Sequence, residues 1–224
     1  MIVIPARGGS KRIHKKNIKL FNGKPLIWYT IEVARSLFND EIICVSTDDI
    51  QIKSLVESFD LKVPFLRSND LAQDSSSTQD VILDALKWYN HNSYHPDTVI
   101  LLQPTSPLRT IHHLKEVLLR WEGNIDMITS VSKPFFNNLK NIFHEKSNGF
   151  LHKIEQDDIS KFDNSSIYQL NGAIYIINVE SLKAKKISQF SKVKKFLMEQ
   201  SISIDIDDID EWEKAESLYL KKLD

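Results

Sequence analysis

The stretch "IVIPARGGSKRIHKKN", residues 2–17, decides the fold class because an apolar run leads directly into a glycine-rich basic segment. The run "IVI" is short and β-branched, which is typical of a buried strand. Six basic side chains crowd the segment that follows: Arg7, Lys11, Arg12, His14, Lys15 and Lys16. Gly8 and Gly9 would let the backbone turn tightly with its N–H groups exposed. The combination predicts a loop that binds an anion, with phosphate the anion best suited to it.

The spacing of this loop excludes two well-known phosphate-binding motifs. "GGSKRIHKK" matches neither G-x-x-x-x-G-K-[ST] nor G-x-G-x-x-G, so a P-loop ATPase and a Rossmann dehydrogenase both lose their defining signal. A solvated basic loop without a ligand is the alternative for any such charge run. Position favours a ligand, because a loop directly after the first strand of a parallel sheet lies where ligands bind.

Short runs rich in Val and Ile alternate along the chain with longer segments of helical period. Predicted strands lie at residues 2–4, 41–46, 98–103, 126–132, 171–178 and 201–207. Predicted helices begin at or after Pro25, Thr47, Ser77 and Thr110, and an amphipathic helix closes the chain at 208–223. This alternation predicts a doubly wound, mostly parallel α/β sheet whose ligand lies beyond the carboxyl ends of the strands.

Composition limits the classes of function. A chain of 224 residues suits one α/β domain spanning 1–224. Because 29 Lys and Arg face 30 Asp and Glu, the basic cluster is local, which argues against bulk nucleic-acid binding. Cys44 is the single cysteine, and no apolar run approaches the roughly 20 residues of a membrane span. We therefore expect a soluble cytoplasmic protein with no nucleic-acid or membrane partner.

The stretch at about 133–170 departs from the alternation of strands and helices. It is rich in Asn, Lys, Ser and Phe and shows no clear period, which predicts an excursion or a small subdomain. Its scarcity of periodic apolar sequence predicts that it gains order by packing on a second subunit.

Two further segments should meet the basic loop at the same edge of the sheet. In "LLQPTSPLRT", residues 101–110, two prolines would hold Gln103 and Arg109 in fixed directions. In "SIDID", Asp205 and Asp207 are two apart on a predicted strand, so both carboxylates would point to one face, where like charge needs a cation. Oxygen ligands of this kind indicate Mg²⁺ shared with phosphate oxygens.

Helix capping is the competing explanation for the other acidic residues. Asp208 stands where a cap of the last helix is expected, and we assign it that role. "STDD", residues 46–49, is likewise interpreted as a helix cap rather than as a ligand.

Taken together, these motifs resemble those of a known family. "IPARGGSKRIHKKN", "VSTDD", "LLQPTSPLRT", "NGAIYI" and "SIDID" occur in the order and spacing of the CMP-sialic acid synthetases, the acylneuraminate cytidylyltransferases, over residues 2–220 or so. The resemblance implies that CTP and a nine-carbon 2-keto sugar acid give a CMP-sugar and pyrophosphate, with Mg²⁺ as cofactor. It also implies a Rossmann-like α/β domain with a small extension that exchanges contacts in a homodimer.

The resemblance also implies roles for individual residues. Arg7 and Lys16 look like the triphosphate-binding and catalytic pair, and Asp205 and Asp207 like the metal-binding and catalytic pair. Further nucleotide contacts match Ser10, Lys11, Asn17, Arg67, Ser77 and Thr78. Sugar-site positions match Gln103, Lys140, Asn171 and Tyr175. Phosphoryl chemistry asks a protein mainly for positioning and charge neutralisation, which is what such residues supply.

The chain departs from the family pattern at one place. Many relatives carry "RRQDxPxxY" before the NG motif, whereas this chain reads "SKFDNSSIY", with Lys161 for the second Arg and Ser165 for the Pro. Lys can meet a carboxylate as a point charge but lacks the bidentate fork of Arg. We expect Lys161 to reach the acidic sugar from the partner subunit. Legionaminic, pseudaminic and N-acetylneuraminic acids all stay open as substrates.

Two alternatives from other classes stay open. Another sugar nucleotidyltransferase, such as a CMP-Kdo synthetase, would share the fold and the metal but not the "NGAIYI" motif. A non-catalytic binding homologue is disfavoured by the joint presence of Arg7, Lys16, Asp205 and Asp207.

Overall fold

The computed structural model describes residues 1–73, 75–135 and 141–221. Ten strands are described: β1 Ile2–Pro5, β2 Leu20–Phe21, β3 Lys24–Pro25, β4 Ile43–Ser46, β5 Thr98–Leu101, β6 Met127–Ser132, β7 Ile142–Glu145, β8 Leu151–Lys153, β9 Ile167–Asn178 and β10 Val193–Leu197. Six α-helices accompany them in that part of the chain: α1 Leu26–Arg35, α2 Ile50–Glu57, α3 Thr78–His91, α4 Ile111–Leu119, α5 Val179–Ala184 and α6 Ile209–Lys221. Each of these described helices is too short or too polar to cross a lipid bilayer.

The main sheet has the order β10-β6-β9-β5-β1-β4. Strands β4, β1 and β5 run parallel to one another, and β10 runs parallel to β6. Strand β9 runs antiparallel between β5 and β6. Five of these six strands therefore point the same way, which confirms the predicted mostly parallel α/β sheet.

Helices cover both faces of the sheet, as a doubly wound fold requires. Along β1, Ile2 and Ile4 join the buried cluster formed with α1, α2 and α4. Val3, between them, joins the buried cluster formed with α3 and α5. Because successive strand side chains point to opposite faces, a continuous apolar run marks a strand buried on both sides. The carboxyl ends of β1, β4, β5 and β6 then meet at one edge.

Two local predictions are corrected. "SISIDID" is not a strand: Gln200–Ile202 form a 3-10 helix, and residues 203–207 form a loop outside the sheet. The cap of α2 is Asp49, whose carboxylate accepts from the backbone N–H of Gln51, and not Thr47. The predicted caps Ser77 and Thr110 are both confirmed.

The excursion extends the sheet rather than standing apart from it. Strand β7 pairs with the first half of β9, and β8 pairs with β7. Ile142, Ile154 and Ile167 form a small buried cluster of their own there. Two 3-10 helices, Gln156–Lys161 and Asn164–Ser166, lead back into β9.

Candidate functional site

The basic loop after β1 is closed on itself by the residue at its far end. The side-chain Nδ2 of Asn17, which is buried, donates to the carbonyl of Arg7 at 3.0 Å. Lys15 adopts a left-handed conformation (φ 51°) directly before the 3-10 helix Lys16–Ile18. The loop is therefore held at both ends, so the directions of Arg7 and Lys16 are set by the backbone.

The two glycines of the loop act differently from the prediction. Neither Gly8 nor Gly9 has a positive φ. Instead, a Cβ on Gly8 would lie 2.5 Å from Oδ2 of Asp49, the cap of α2, whereas a Cβ on Gly9 would meet nothing within 4 Å. The N–H of Gly8 is also not exposed, because it donates to Oδ1 of Asp48 at 3.1 Å. Close approach of the loop to α2 is thus the reason for Gly8.

Arg67 is almost completely buried next to this loop. Its Nη2 lies 3.5 Å from Oδ1 of Asp48, and its Nε makes no hydrogen bond within the described part of the chain. Burial lowers the pKa of the Arg67 guanidinium, and the nearby carboxylate of Asp48 partly offsets that effect. A buried, half-satisfied guanidinium is poised to accept a further anionic or carbonyl partner.

A cavity of about 480 Å³, called the basic cavity below, opens over these groups. Five cations line it, namely Arg7, Lys11, Arg12, Lys16 and Arg67, against two carboxylates, Asp205 and Asp207. Its other polar walls include Ser10, Asn17, Ser76, Thr78 and Gln103. The excess of positive charge suits a ligand that carries several negative charges.

The segment "QPTSPLRT" is anchored by a buried arginine. The Arg109 guanidinium donates to the carbonyls of Gln103 and Ala173 and to Oγ1 of Thr30. Burial without a carboxylate partner lowers the pKa of Arg109 to about 9. Arg109 thereby ties the end of β5 to β9 and α1 and fixes Gln103 at the cavity wall.

The NG motif is a break in the ladder of β9. The register with β6 shifts between Thr129 and Val131, and Gly172 has φ +74°. A Cβ on Gly172 would lie 2.9 Å from Oε1 of Gln103 and 3.1 Å from Oδ2 of Asp205. The positive φ favours glycine here, and any larger residue would also have to displace the ends of these two side chains.

The side chain of Asn171 stabilises this irregularity of β9 through hydrogen bonds. Its Oδ1 accepts from Oγ of Ser130 at 2.6 Å and from the N–H of Ala173, and its Nδ2 donates to Oγ of Ser203 at 2.9 Å. The amide is buried. Asn171 therefore positions the wall of the site with hydrogen bonds already made inside the protein.

The loop of residues 203–207 carries both predicted metal-binding carboxylates, Asp205 and Asp207, to the wall of the basic cavity. The N–H of Ile206 donates to the carbonyl of Thr105 at 2.8 Å, which holds the loop against the segment after β5. Burial raises the pKa of Asp205 to about 6, against the opposing effect of a hydrogen bond from Thr105, and the charge of Asp207 raises it further. Two repelling carboxylates in this setting fit a divalent cation.

Asp207 is held by two cations from the basic loop. Oδ2 accepts from Nη2 of Arg12 at 3.1 Å, and Oδ1 lies 3.4 Å from Nζ of Lys16. Lys16 is also anchored by the carbonyl of Ile206 at 2.6 Å. Ion pairs thus connect the basic loop near the N-terminus to Asp207 near the C-terminus, between the two cavities.

A second cavity, of about 700 Å³, lies beyond Asp205 and Asp207 and is called the acidic cavity below. Five carboxylates line it, namely Asp205, Asp207, Asp208, Asp210 and Glu211, against two cations, Arg12 and Lys214. Asp208 and Glu211 also form reciprocal hydrogen bonds with each other's backbone N–H groups at the start of α6, as predicted for Asp208. Arg12, Asp205 and Asp207 line both cavities.

Most of the predicted site residues meet in these two cavities. The basic cavity is lined by Arg7, Ser10, Lys11, Lys16, Asn17, Arg67, Thr78, Gln103, Asp205 and Asp207, and Asn171 lines the acidic one. Ser77, Lys161 and Tyr175 are not among the described lining residues. Ser77 caps α3, and Lys161 is exposed and paired with Asp158. Lys140 lies outside the described residues.

Several residues at the site were not assigned from the sequence. Arg12 and Lys214 line the cavities, Asp48 bonds to the basic loop, and Thr105 bonds to Asp205. Arg12 lay within the basic run, but its spacing alone could not rank it above its neighbours. Asp48 and Thr105 sit in the quoted motifs, where a capping or turn role was sufficient to explain them.

The donor set fits a cation that is completed by its substrate. Among the described residues no group of three or more His, Cys, Asp or Glu side chains is arranged to hold a metal ion. Mg²⁺ commonly takes one or two carboxylates plus substrate phosphate oxygens and water. A pair of carboxylates at the edge of a basic cavity matches that pattern.

A family model described as cytidylyltransferase matches residues 1–224. The chain belongs to the cytidylyltransferase family. This confirms the predicted nucleotidyltransferase class of enzyme, and the joint placement of Arg7, Lys16, Asp205 and Asp207 gives that membership a physical basis.

Individual cytidylyltransferases match the chain along most of its length. A CMP-N,N'-diacetyllegionaminic acid synthase of Legionella pneumophila is 39% identical over 97% of this chain and 95% of the relative. An N-acylneuraminate cytidylyltransferase of Escherichia coli is 32% identical over 98% of this chain and 52% of the relative. A pseudaminic acid cytidylyltransferase of Campylobacter jejuni is 29% identical over 98% of this chain and 95% of the relative.

Solved structures confirm the fold. CMP:2-keto-3-deoxy-manno-octonic acid synthetase complexed with CTP superposes with a TM-score of 0.75, at 18% identity, over 99% of this chain and 98% of the other. A cytidylyltransferase of Leptospira borgpetersenii superposes with a TM-score of 0.59, at 18% identity, over 96% of this chain and 84% of the other. At this identity the likeness concerns the fold alone.

Proposed function

We propose that the protein joins CTP to a nine-carbon 2-keto sugar acid, giving the CMP-sugar and pyrophosphate with Mg²⁺ as cofactor. The observation that carries the proposal is the meeting of a basic and an acidic cavity at Asp205 and Asp207. The relatives of similar length, named for legionaminic and pseudaminic acids, support a substrate of this class. Because the reaction consumes CTP, the proposal places it in the cytoplasm.

The basic cavity is assigned to CTP. A triphosphate carries about four negative charges at neutral pH, and the five cations of the cavity outnumber its two carboxylates by three. Arg7 and Lys16 would neutralise the charge that grows on the departing pyrophosphate. Arg67, whose Nε makes no hydrogen bond within the described residues, is free to donate to the ligand from the wall next to Thr78.

The acidic cavity is assigned to the sugar acid. Hydroxyl groups of a sugar are donors that carboxylates and amides accept, and Asn141, Gln169 and Ser132 add neutral polar groups to the wall. The Oγ of Ser132 is buried and makes no hydrogen bond within the described chain. Lys214, on the wall of this cavity, is assigned to the sugar carboxylate.

The proposed reaction is a single displacement at phosphorus. The anomeric hydroxyl oxygen of the sugar forms a bond to the α-phosphorus of CTP, the bond from that phosphorus to the bridging oxygen breaks, and pyrophosphate leaves with the electron pair. The hydroxyl proton is released to water. When bound, Mg²⁺ would neutralise charge on the phosphate oxygens, held by Asp205 and Asp207. The protein itself contributes positioning and charge, and no covalent intermediate is needed.

Pyrophosphate release tests the proposal. The purified protein is assayed with each of CTP, UTP, GTP and ATP against legionaminic, pseudaminic, N-acetylneuraminic and 3-deoxy-manno-octulosonic acids, with Mg²⁺ and with excess EDTA. We expect CTP-dependent release with at least one nine-carbon acid, abolished by EDTA. Release only with the eight-carbon acid would replace the proposed substrate, and no release with any pair would overturn the proposed activity.

We further propose that the enzyme is a homodimer in which Lys161 serves the partner's site. Lys161 is exposed at the end of the 3-10 helix Gln156–Lys161, and in its own chain it is paired with Asp158 rather than directed into a cavity. A lysine that meets the anionic sugar must then act across an interface. The excursion that carries it offers short strands and 3-10 helices as the contact surface.

Mixed dimers test this assignment. Lys161→Ala and Lys16→Ala chains, each nearly inactive alone, are co-expressed with different tags and the doubly tagged dimer is purified. If Lys161 crosses, both lesions fall in one site and about half the activity returns per dimer when subunits act independently. No recovery, or a monomer by light scattering, would contradict the arrangement.

A further inference from the structure

Arg12 occupies the junction of the two cavities. It lines both, together with Asp205 and Asp207. Its Nη2 donates to Oδ2 of Asp207 at 3.1 Å, and the two side chains are 59% and 48% exposed. Within the described residues this is the polar contact that holds its guanidinium. Arg12 is therefore an exposed cation held by one half-exposed ion pair, on the wall of a cavity that suits an anion.

The two cations on Asp207 differ in how firmly they are anchored. Lys16 is 13% exposed and bonds to the carbonyl of Ile206 as well as lying near Oδ1. Arg12 reaches the other oxygen, Oδ2, from the solvent side. Lys16 can keep its place through the carbonyl, whereas Arg12 can leave at the cost of one half-exposed ion pair.

The occupied oxygen limits what Asp207 can offer to a divalent cation. A carboxylate oxygen that accepts from a guanidinium is engaged, and a guanidinium beside it repels a second cation. Phosphate oxygens in the basic cavity are stronger competitors for Arg12 than a single carboxylate, because the planar fork of Arg matches phosphate bidentately.

We infer that Arg12 is an exchangeable counter-ion of Asp207. In the structure it neutralises this carboxylate, and when the nucleotide enters it transfers to the phosphates and releases Oδ2 for the divalent cation. The exchange couples the two binding events and keeps Asp207 from holding a cation before the nucleotide arrives. The identity of the nucleotide rests on the proposed function, whereas the competition between Arg12 and a metal ion at Asp207 does not.

The experiment separates the two halves of the exchange. Mn²⁺ alone is titrated into nucleotide-free protein and followed by electron paramagnetic resonance, and CTP alone is titrated calorimetrically in excess EDTA. Arg12→Ala should bind Mn²⁺ tighter than the parent by up to about fivefold, the size that one half-exposed ion pair permits. The same variant should bind metal-free CTP more weakly, by a similar factor or more. Arg12→Lys should have affinities for Mn²⁺ and for CTP that lie between those of the parent and those of Arg12→Ala.

Arg120→Ala is the matched control, because Arg120 is also an exposed arginine paired with a carboxylate, Glu116, but at the C-terminal end of α4. It should leave both titrations unchanged. If Arg12 had only a structural role, Arg12→Ala would bind Mn²⁺ more weakly than the parent or equally well, and either result overturns the inference. The absence of Mn²⁺ binding in both the parent and Arg12→Ala would also overturn it. If the parent makes CMP-sugar while the Mn²⁺ affinity of Arg12→Ala equals that of the parent, the inference about Arg12 is wrong and the proposed function stands. If the parent binds no CTP, both the inference and the proposed function are wrong.

Discussion

The basic and acidic cavities share Asp205 and Asp207 but obtain their charge in different ways. In the basic cavity Arg7, Lys11 and Arg67 project from loops that backbone and Asp48 contacts hold in place. In the acidic cavity two of the carboxylates, Asp208 and Glu211, are bonded to N–H groups at the start of α6.

The difference teaches that counting charges overstates the field of the acidic cavity. A capping carboxylate is already stabilised by backbone N–H groups and by the helix dipole. These groups reduce the negative potential that it contributes to the cavity. An anionic sugar then meets a weaker repulsion than five carboxylates would give. In the basic cavity Arg67 lies near Asp48, and Arg12 and Lys16 lie near Asp207.

The largest expected effect comes from removing an anchored cation of the basic cavity. Lys16→Ala should lower turnover by about 10²- to 10³-fold, because a positioned charge that meets developing negative charge is worth most in the transition state. The loss in CTP affinity should be smaller. Steady-state kinetics with both substrates measure the two quantities.

Lys15→Asn is the control, since asparagine tolerates the left-handed conformation at Lys15. It should keep near-parental turnover. Comparable catalysis by Lys16→Ala would mean that the loop is a solvated basic segment without a catalytic role.

The next largest effect concerns Asp205, which lines both cavities. Replacing it should increase the stability of the protein and decrease its activity. Burial raises the pKa of Asp205 to about 6, so the folded state keeps this proton to a higher pH than the unfolded chain, in which an Asp side chain titrates at about 4. Stability is therefore lost as pH rises between these values. Asp205→Asn should raise the free energy of unfolding at pH 7.5 by about 1–3 kcal/mol while turnover collapses.

Urea unfolding at pH 7.5 and pH 4.5 checks this prediction, because the gain should shrink at the lower pH. Asp210→Asn lies in the same cavity and should be neutral or slightly destabilising, as it removes an acid from the first turn of α6. A gain that is absent at pH 7.5, or equal at both pH values, would contradict the assigned role of burial.

A smaller effect distinguishes the neighbouring glycines of the basic loop. Gly8→Ala places a Cβ against Asp49 and should destabilise the protein by about 1–2 kcal/mol through the lost cap of α2. Gly9→Ala has open space and should be neutral or slightly stabilising. Thermal unfolding of the pair measures the difference, and equal midpoints would show that the loop does not press on α2.

The smallest effect is expected in the acidic cavity. Lys214 lies over the ring of Phe135 at 5.4 Å and is exposed. Lys214→Ala should raise KM for the sugar acid by about two- to fivefold and leave KM for CTP unchanged, because an exposed charge contributes little in water. Lys221→Ala on the same helix is the matched control. A change in KM for CTP instead would assign Lys214 to the other cavity.

The sequence was sufficient where structure is local. Strands β1, β4, β5 and β6 and the caps of α3 and α4 follow from short apolar runs and from Ser77 and Thr110. "SIDID" alternates like a strand, yet it is a loop, because the N–H of Ile206 bonds to the carbonyl of Thr105 instead of to a neighbouring strand. Nothing in the local pattern distinguishes these two partners.

The same reason explains what could be predicted of the site. Arg7, Lys16, Asp205 and Asp207 were identified through motifs, and they lie together. Arg12 could not be ranked, since the carboxylate that gives it a role is 195 residues away in the chain. Pairings at that separation are decided by the packed sheet and not by spacing.

Arg109 has a consequence for the order in which the protein assembles. Its guanidinium bonds to groups on α1, at the end of β5 and on β9, with separations of up to 79 residues. Because an unsatisfied guanidinium is costly to bury, it can leave water only when all three segments are in place. Closing such long loops is slow, so this corner of the site should be acquired late in folding, after the neighbouring strands have already paired.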